Sequence, residues 1–165
     1  MKNVVLVGMP GSGKSTIGVV LAKVLGYEFL DTDIVIQNKN HRRLSEIIAS
    51  EGTDGFLEIE NRVIQSLNVN RTVIATGGSA IYGKEGMEHL KESGTVIYLK
   101  IAYEELCERL GDLKARGVVL KEGQTFLQLY EERVPLYEKY ADIVIDEKNK
   151  LIREIVDEIA GLTLK

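Results

Sequence analysis

One stretch near the start of the chain decides how the rest is interpreted: Gly8-Met9-Pro10-Gly11-Ser12-Gly13-Lys14-Ser15. It fits the pattern G-x-x-x-x-G-K-[ST], and it lies between an apolar run at residues 2–7 and a helical pattern that ends at Gly26. Glycines in this setting let successive backbone N–H groups turn inward, and the N-terminal end of the next helix adds positive potential. The sequence therefore predicts a phosphate-binding P-loop between a buried strand and a helix.

The side chains of this loop suit a nucleoside triphosphate with a divalent cation. Lys14 supplies a full positive charge to the β- and γ-phosphates, and the hydroxyl of Ser15 is placed to bind Mg²⁺. We therefore expect ATP and Mg²⁺ as cofactors. The predicted nucleotide-binding residues of the loop are Gly11, Ser12, Gly13, Lys14, Ser15 and Thr16.

The spacing of apolar residues elsewhere predicts an α/β fold. Apolar runs at residues 27–30, 72–75, 95–99 and 143–145 have the length and β-branched content of buried strands. Amphipathic helical patterns separate them, and a last one follows residue 150. Together with residues 2–7 they predict a three-layer α/β/α sandwich around a five-stranded parallel sheet.

Composition limits the possible partners. A chain of 165 residues with 44% hydrophobic and 28% charged residues predicts a single domain, residues 1–165. The net charge of −4 argues against nucleic acid as a partner, and no apolar segment predicts a membrane span. Cys107 lies in a helical pattern with Leu106 and Leu110, so we expect a buried thiol, and because it cannot form an internal disulfide we expect a reducing, cytoplasmic location. We also expect a monomer.

Two carboxylates follow the second predicted strand, at Asp31 and Asp33. If that strand lies near the first in a parallel sheet, both acids lie close to the bound phosphates. Asp31 is then a magnesium ligand through water, and Asp33 accepts a hydrogen bond from the acceptor hydroxyl. The alternative is structural: Asp31 ends the strand, and Asp33 caps a helix that begins at Ile34.

Three further features are candidates for binding. Gly77-Gly78, after the third strand, allows close approach of substrate to the backbone, although it is also an ordinary tight turn. Arg133 lies in a predicted helix and can fork onto a carboxylate or phosphate, or be a solvated surface residue. Residues 111–124 are glycine-rich and basic, and we expect a mobile lid whose Arg116, with Arg109, closes over ATP. An exposed connection is the alternative for this segment.

Gly8 to Ser15, Asp31-x-Asp33, Gly77-Gly78 and Arg133-x-Pro135-Leu136-Tyr137, in this order, resemble the shikimate kinase family along nearly the whole chain. The resemblance implies a nucleoside-monophosphate-kinase type of P-loop fold and ATP-dependent phosphorylation of the 3-hydroxyl of shikimate, in aromatic amino acid biosynthesis. It also implies substrate-binding helices at about residues 32–68. The implied site comprises the catalytic residues Lys14, Asp33 and Arg116, the ATP-binding residues Arg109 and Arg116, the metal ligands Ser15 and Asp31, and the substrate-binding residues Asp33, Leu57, Gly77, Gly78 and Arg133.

Leu57 is the main departure from the family pattern. The family's substrate helix usually reads Phe-Arg-x-x-Glu, with the arginine paired to the shikimate carboxylate, whereas this chain reads Phe56-Leu57-Glu58-Ile59-Glu60. Losing a charge-assisted contact costs roughly 1.5–3 kcal/mol, or about 10- to 150-fold in affinity. Either another cation such as Arg62 replaces it, or the acceptor differs, or Leu57 only extends an apolar helix face. The family's Gly-Gly-Gly-Ala also becomes Gly77-Gly78-Ser79-Ala80, and its lid sequence Arg-Pro-Leu-Leu becomes Arg116-Gly117-Val118-Val119.

These observations lead to three functional hypotheses. The first is a shikimate kinase that transfers the γ-phosphoryl group of ATP directly, in line, to the acceptor hydroxyl. The second is a kinase of the same fold acting on another small polyol, sugar acid or hydroxy acid, which Leu57 favours. The third is a nucleotide-binding protein that has lost turnover.

Overall fold

The computed structural model describes residues 2–110 and 121–163, in which strands and helices alternate along the chain. The strands are β1 Asn3–Val7, β2 Glu28–Asp31, β3 Thr72–Ala75, β4 Gly94–Lys100 and β5 Ile143–Asp146. The α-helices are α1 Lys14–Leu25, α2 Thr32–Asn40, α3 Leu44–Gln65, α4 Lys84–Ser93, α5 Tyr103–Arg109, α6 Phe126–Tyr140 and α7 Ile152–Thr163. A 3₁₀ turn, Ala80–Tyr82, follows the Gly77-Gly78 pair.

The five strands form one parallel sheet in the order β2-β3-β1-β4-β5. This confirms the predicted α/β fold and its five-stranded parallel sheet. β1 lies in the middle, with Leu6 in register with Ala75 of β3 on one side and Ile97 of β4 on the other. Because the chain leaves β1 between neighbours that come much later, the loop after it opens into a crevice at the carboxyl edge of the sheet. The P-loop occupies this position.

Alternation along β1 builds the two sides of the sandwich. Val5 and Val7 pack into one cluster with apolar residues of α3, α4 and α6, whereas Val4 and Leu6 pack into another with residues of α1 and α7. Successive strand residues point to opposite faces, so a strand apolar throughout must be covered on both faces. The sheet is therefore the middle of three layers, as the sequence predicts.

The turn from β2 into α2 differs from the structural alternative, in which Asp33 caps a helix that begins at Ile34. The helix begins at Thr32 rather than Ile34, and Asp31 is its N-cap: its Oδ1 accepts a hydrogen bond from the backbone N–H of Asp33 at 2.9 Å. Asp33 as the cap is therefore wrong. Asp31 already satisfies the helix end, which leaves the side chain of Asp33 for another task.

Two expectations about the chain's surface have clear outcomes. Cys107 is exposed on the outer side of α5, so the prediction of a buried thiol is wrong; Leu106 is the residue of that turn that enters the core. Among the described residues, every helix is too short or too polar to cross a bilayer. Residues 111–120, which include Arg116 and most of the predicted lid, lie outside the described residues.

Candidate active site

Lys14 is held inside the P-loop by the loop's own backbone. Its Nζ donates hydrogen bonds to the carbonyl oxygens of Gly8 at 2.8 Å and Met9 at 2.9 Å, and the side chain is buried. Burial lowers the pKa of Lys14 to about 8, while the charge of Asp33 opposes the shift and that of Arg133 adds to it. The ammonium group is therefore still charged at neutral pH, and it lies in the loop that is predicted to bind phosphates.

Ser15 and Asp31 provide a pair of hard oxygen atoms beside the loop. The hydroxyl of Ser15 donates to Oδ2 of Asp31 at 3.0 Å, while the other carboxylate oxygen caps α2. A hydroxyl and a carboxylate this close form the kind of donor set that Mg²⁺ prefers, since this ion takes oxygen ligands and keeps several of its waters. The residues thus fit the predicted magnesium site.

Asp33 lies in the first turn of α2 and lines the same cavity as Lys14 and Arg133. Burial, together with the nearby charge of Asp31, raises the pKa of Asp33 to about 6, and Lys14 opposes both effects. A carboxylate that is largely shielded from water is a strong hydrogen-bond acceptor for a hydroxyl group brought into the cavity.

Gly77 and Gly78 are required here by close approach. A Cβ atom on Gly77 would lie 2.6 Å from Oδ1 of Asp33, and one on Gly78 would lie 2.8 Å from Nη1 of Arg133. The turn is also held in place: the Gly77 N–H donates to Oγ1 of Thr32 at 3.2 Å, and Tyr137 donates to the Gly78 carbonyl at 2.7 Å. The turn therefore fits between the carboxylate of Asp33 and the guanidinium of Arg133 because its two residues have no Cβ atom.

Arg133 is not the solvated surface residue that its helical pattern allowed. Its side chain is only 1% exposed, and Nε donates to the hydroxyl of Tyr82 at 3.4 Å. The guanidinium carbon lies 5.4 Å from the centre of the Tyr82 ring, within range of a cation–π contact. A buried arginine at a cavity wall is suited to binding an anionic group.

These residues surround one cavity of about 250 Å³. Lys14 and the rest of the P-loop form one side, Asp33, Arg133 and the turn from Thr76 to Ser79 form another, and Leu44 and Phe56 supply an apolar wall. The structure thus brings the P-loop, Asp33, Gly77-Gly78 and Arg133 together at one cavity. The sequence could relate these motifs only through the expected order of the strands.

Neither Leu57 nor Arg62 is among the described residues that line this cavity. Among the described residues, Leu57 is not part of the cavity lining; it packs beside Phe56 against a small cluster that includes Ile36 and Ile47. Arg62 is exposed and lines a separate surface cleft together with Lys39. In this structure Arg62 does not replace the family's missing arginine.

Arg109 contacts the outer side of the P-loop. Its Nη1 donates to the carbonyl of Gly11 at 3.1 Å, and the same nitrogen lies 3.6 Å from Oε1 of Glu147. Glu147 is 4% exposed, and burial raises its pKa to about 7 while Arg109 opposes the shift. Arg116, the second predicted arginine for ATP, lies outside the described residues.

Sequence reasoning missed several residues around the site. Glu147 directly follows β5, so it sits at the carboxyl edge shared by all parallel strands, and that position was a usable signal. Tyr82 and the bond from the Ser79 hydroxyl to Glu60, 2.7 Å long, depend on contacts between distant elements. No local pattern could have indicated those contacts.

Glu60 gives a testable effect of pH on stability. Burial raises its pKa from 4.5 to about 7, while the Ser79 hydrogen bond opposes the shift; Oε2 has no hydrogen-bond partner among the described residues. Between these two pKa values the native state holds more protons than the unfolded state, so the free energy of unfolding falls as pH rises. We expect Glu60→Gln to remove this loss, which is on the order of 3 kcal/mol at most.

The measurement is urea unfolding of both proteins between pH 5 and pH 8. The stability of Glu60→Gln relative to the original chain should increase with pH across that range, since glutamine cannot ionise. Glu58→Gln, at an exposed position of the same helix, is the matched control and should show no such trend. A difference that stays constant with pH would contradict the assignment.

Comparisons with known proteins agree with this geometry. A family model described as shikimate kinase matches residues 10–162. The shikimate kinase of Bacillus mycoides is 38% identical over 160 residues, 96% of each chain, and that of Persephonella marina is 36% identical over 162 residues, 98% of each chain.

Solved structures give the same result. A shikimate kinase from Acinetobacter baumannii in complex with shikimate has a TM-score of 0.88 and 35% identity, covering 99% of this chain and 93% of its own. The shikimate kinase of Aquifex aeolicus has a TM-score of 0.84 and 32% identity, covering 98% and 95%. A thymidylate kinase from Candida albicans, TM-score 0.62 and 14% identity, covers 98% and 90% and shares the fold alone.

The sheet, the P-loop and the adjoining cavity that holds Lys14, Asp33 and Arg133 define a P-loop kinase that uses ATP and acts on a small molecule. Within that class, the chain belongs to the shikimate kinase family. This membership supports an active enzyme over the hypothesis of a protein that only binds nucleotide.

Proposed function

We propose that this enzyme transfers the γ-phosphoryl group of ATP to a hydroxyl of shikimate. The observation that carries the proposal is the buried Arg133, which shares one cavity with Asp33 and Lys14. Shikimate is a ring with a carboxylate and several hydroxyl groups. It therefore offers an anion for Arg133 and a nucleophile for Asp33, next to a loop built for phosphates.

On the nucleotide side, the proposed binding residues are the loop residues Gly11 to Thr16 together with Arg109 and Arg116. Lys14 bears the charge that develops on the transferred group, because its ammonium is held among the loop carbonyls and is protonated at neutral pH. Ser15 and Asp31 would hold Mg²⁺, which when bound neutralises charge on the β- and γ-phosphates.

On the acceptor side, Asp33 accepts a hydrogen bond from the reacting hydroxyl and orients its oxygen in line with the γ-phosphorus. Arg133 pairs with the carboxylate, while Gly77 and Gly78 let the ring approach the backbone. Leu57 contributes indirectly by packing behind Phe56, which forms the apolar wall of the cavity. The transfer is direct and needs no covalent enzyme intermediate.

A coupled assay tests this proposal. ADP release with ATP, Mg²⁺ and millimolar shikimate should far exceed the release without acceptor, and the product should be shikimate 3-phosphate by NMR. Turnover no faster than the acceptor-free background would overturn shikimate as the substrate. Omission of Mg²⁺ with EDTA present tests the metal in the same assay, with loss of turnover expected.

A second acceptor remains a candidate because Leu57 stands where the family has an arginine, and Arg62 does not replace it. The acceptor is then another small hydroxylated acid or polyol with an uncharged group facing Phe56. Screening sugar acids, polyols and hydroxy acids in the coupled assay tests this candidate. A compound with higher kcat/KM than shikimate would identify it.

Leu57→Arg should lower the KM for shikimate by about 10- to 150-fold, because an arginine at this position, as in the family pattern, adds a second charge-assisted contact to the carboxylate once its side chain extends past Phe56 and out of the apolar cluster. The measurement is steady-state kinetics with shikimate varied at saturating ATP. Leu57→Met, which keeps an apolar side chain of similar size, is the control and should leave KM unchanged. An unchanged or higher KM in Leu57→Arg would show that position 57 does not face the carboxylate.

We also propose that residues 1–165 form a single kinase domain, with substrate-binding helices within residues 32–68 and a lid at about 111–124. The structure has α2 and α3 in the first of these regions. A monomer in the cytoplasm is the proposed state, and the exposed thiol of Cys107 is compatible with a reducing compartment. Light scattering at assay concentration tests the monomer.

A further inference from the structure

The guanidinium of Arg133 is fixed from two sides. On one side Nε donates to the Tyr82 hydroxyl at 3.4 Å, and the Tyr82 ring lies under the guanidinium carbon at 5.4 Å. On the other side Nη1 lies close to Gly78, where an added Cβ atom would be 2.8 Å from this nitrogen. The plane of the fork is thus set before any acceptor arrives.

The Tyr82 hydroxyl links this arginine to a carboxylate. Arginine has donors only, so the tyrosine oxygen accepts from Nε and its own hydrogen points to Oε2 of Glu132, 3.1 Å away. The direction of both hydrogen bonds is therefore fixed. Arg133, Tyr82 and Glu132 together are called the Arg133 relay below.

Glu132 is in turn anchored to the turn that precedes α6. Its Oε2 also accepts from Nε2 of Gln124 at 2.9 Å, and Oε1 accepts from Nζ of Lys121 at 3.3 Å. Lys121 is exposed, so its ion pair contributes little, and Gln124 is the firmer anchor. Hydrogen bonds to Gln124, Tyr82 and Lys121 hold the pKa of Glu132 below its usual range, so the carboxylate is ionised at neutral pH.

We propose that Tyr82 is a positioning residue for acceptor binding: its ring and hydroxyl, backed by Glu132, hold the guanidinium of Arg133 ready to receive an acceptor carboxylate. The inference rests on the proposed role of Arg133 in the site. It deepens that role, because a chain with leucine at position 57 depends on one fixed arginine for this contact. Fixing a side chain in advance lowers the entropic cost of binding.

A structural alternative exists, since the same contacts also pack α6 against the 3₁₀ turn. Steady-state kinetics separates the two. Tyr82→Phe keeps the ring under the guanidinium and removes only the hydroxyl. We expect the KM for shikimate to rise roughly 5- to 10-fold, with kcat changed less than about 2-fold and the KM for ATP unchanged.

Tyr130→Phe is the matched control, because its hydroxyl donates to the carbonyl of Ile101 at 2.9 Å, away from the relay. It removes the same group from the same kind of side chain, and we expect no change in the KM for shikimate. Combining Tyr82→Phe with Glu132→Gln should raise that KM no further than Tyr82→Phe alone, since Glu132 acts through the hydroxyl.

Equal increases in both KM values, a fall in kcat alone, or no effect of Tyr82→Phe would overturn the proposal. If the unmodified enzyme does not phosphorylate shikimate, the proposed function fails while the relay is still tested by NMR. In ¹⁵N-arginine-labelled protein the Nε–H of Arg133, assigned with Arg133→Lys, should exchange slowly with solvent and faster in Tyr82→Phe. Equal exchange rates in the two proteins would overturn the relay itself.

Discussion

Lys14→Ala should reduce kcat by about 10²- to 10⁴-fold, because it removes a positive charge at the point where charge builds up on the transferred phosphoryl group. The ammonium of Lys14 sits among the loop carbonyls at 2.8 and 2.9 Å, so its position is fixed before ATP binds. Such a fixed charge stabilises the transition state without reorganisation during the reaction. The coupled assay at saturating ATP and acceptor measures the loss.

Lys23→Ala is the matched control for this prediction. Lys23 is exposed in the last turn of the same helix, so its removal changes the net charge equally without touching the loop. We expect its kcat to equal that of the original chain. Thermal unfolding of both variants accompanies the kinetics, since Lys14→Ala also deprives the carbonyl oxygens of Gly8 and Met9 of a donor. A folded Lys14→Ala protein with kcat within about tenfold of the original would contradict the assigned role.

The features of the fold and of the site that depend on contiguous residues can be predicted from the sequence. The P-loop was predictable because strand, glycines, lysine, serine and helix are contiguous, and the position of Asp31 and Asp33 follows from strand pairing. Even there, which acid caps α2 depends on where the helix begins, and the sequence alternative placed that start at Ile34 rather than Thr32.

Features that depend on packing between distant elements were not predictable. The pattern around Arg133 is equally compatible with a surface and a buried side chain, and its burial requires Tyr82 from a turn about fifty residues earlier. Leu57 lies on α3, in which Gly52 has a left-handed φ of 75° that interrupts the regular helix. The kink changes which residues after it face the cavity, and spacing alone does not show this.

Asp33→Asn should lower kcat by about 10²- to 10⁴-fold with the KM for ATP nearly unchanged, since asparagine is a weaker acceptor for the hydrogen of the reacting hydroxyl. Asp33 faces the cavity but is not part of the P-loop, so nucleotide binding does not require it. The slow transfer of phosphate from ATP to water should be unaffected, because it has no acceptor hydroxyl for Asp33 to orient. Kinase and hydrolysis rates measured on one preparation test both expectations.

Stability separates this effect from damage to the fold. The carboxylate of Asp33 is half-buried and close to the charge of Asp31, so a neutral asparagine removes a repulsion, and the unfolding temperature should not fall. Asp157→Asn, at an exposed position of α7, makes the same substitution far from the site and should leave all rates unchanged. If hydrolysis and phosphoryl transfer fell together in Asp33→Asn, the residue would serve the nucleotide rather than the acceptor. The proposed roles of the two acids would then be exchanged, with Asp33 at the metal site and Asp31 as the candidate for orienting the acceptor hydroxyl.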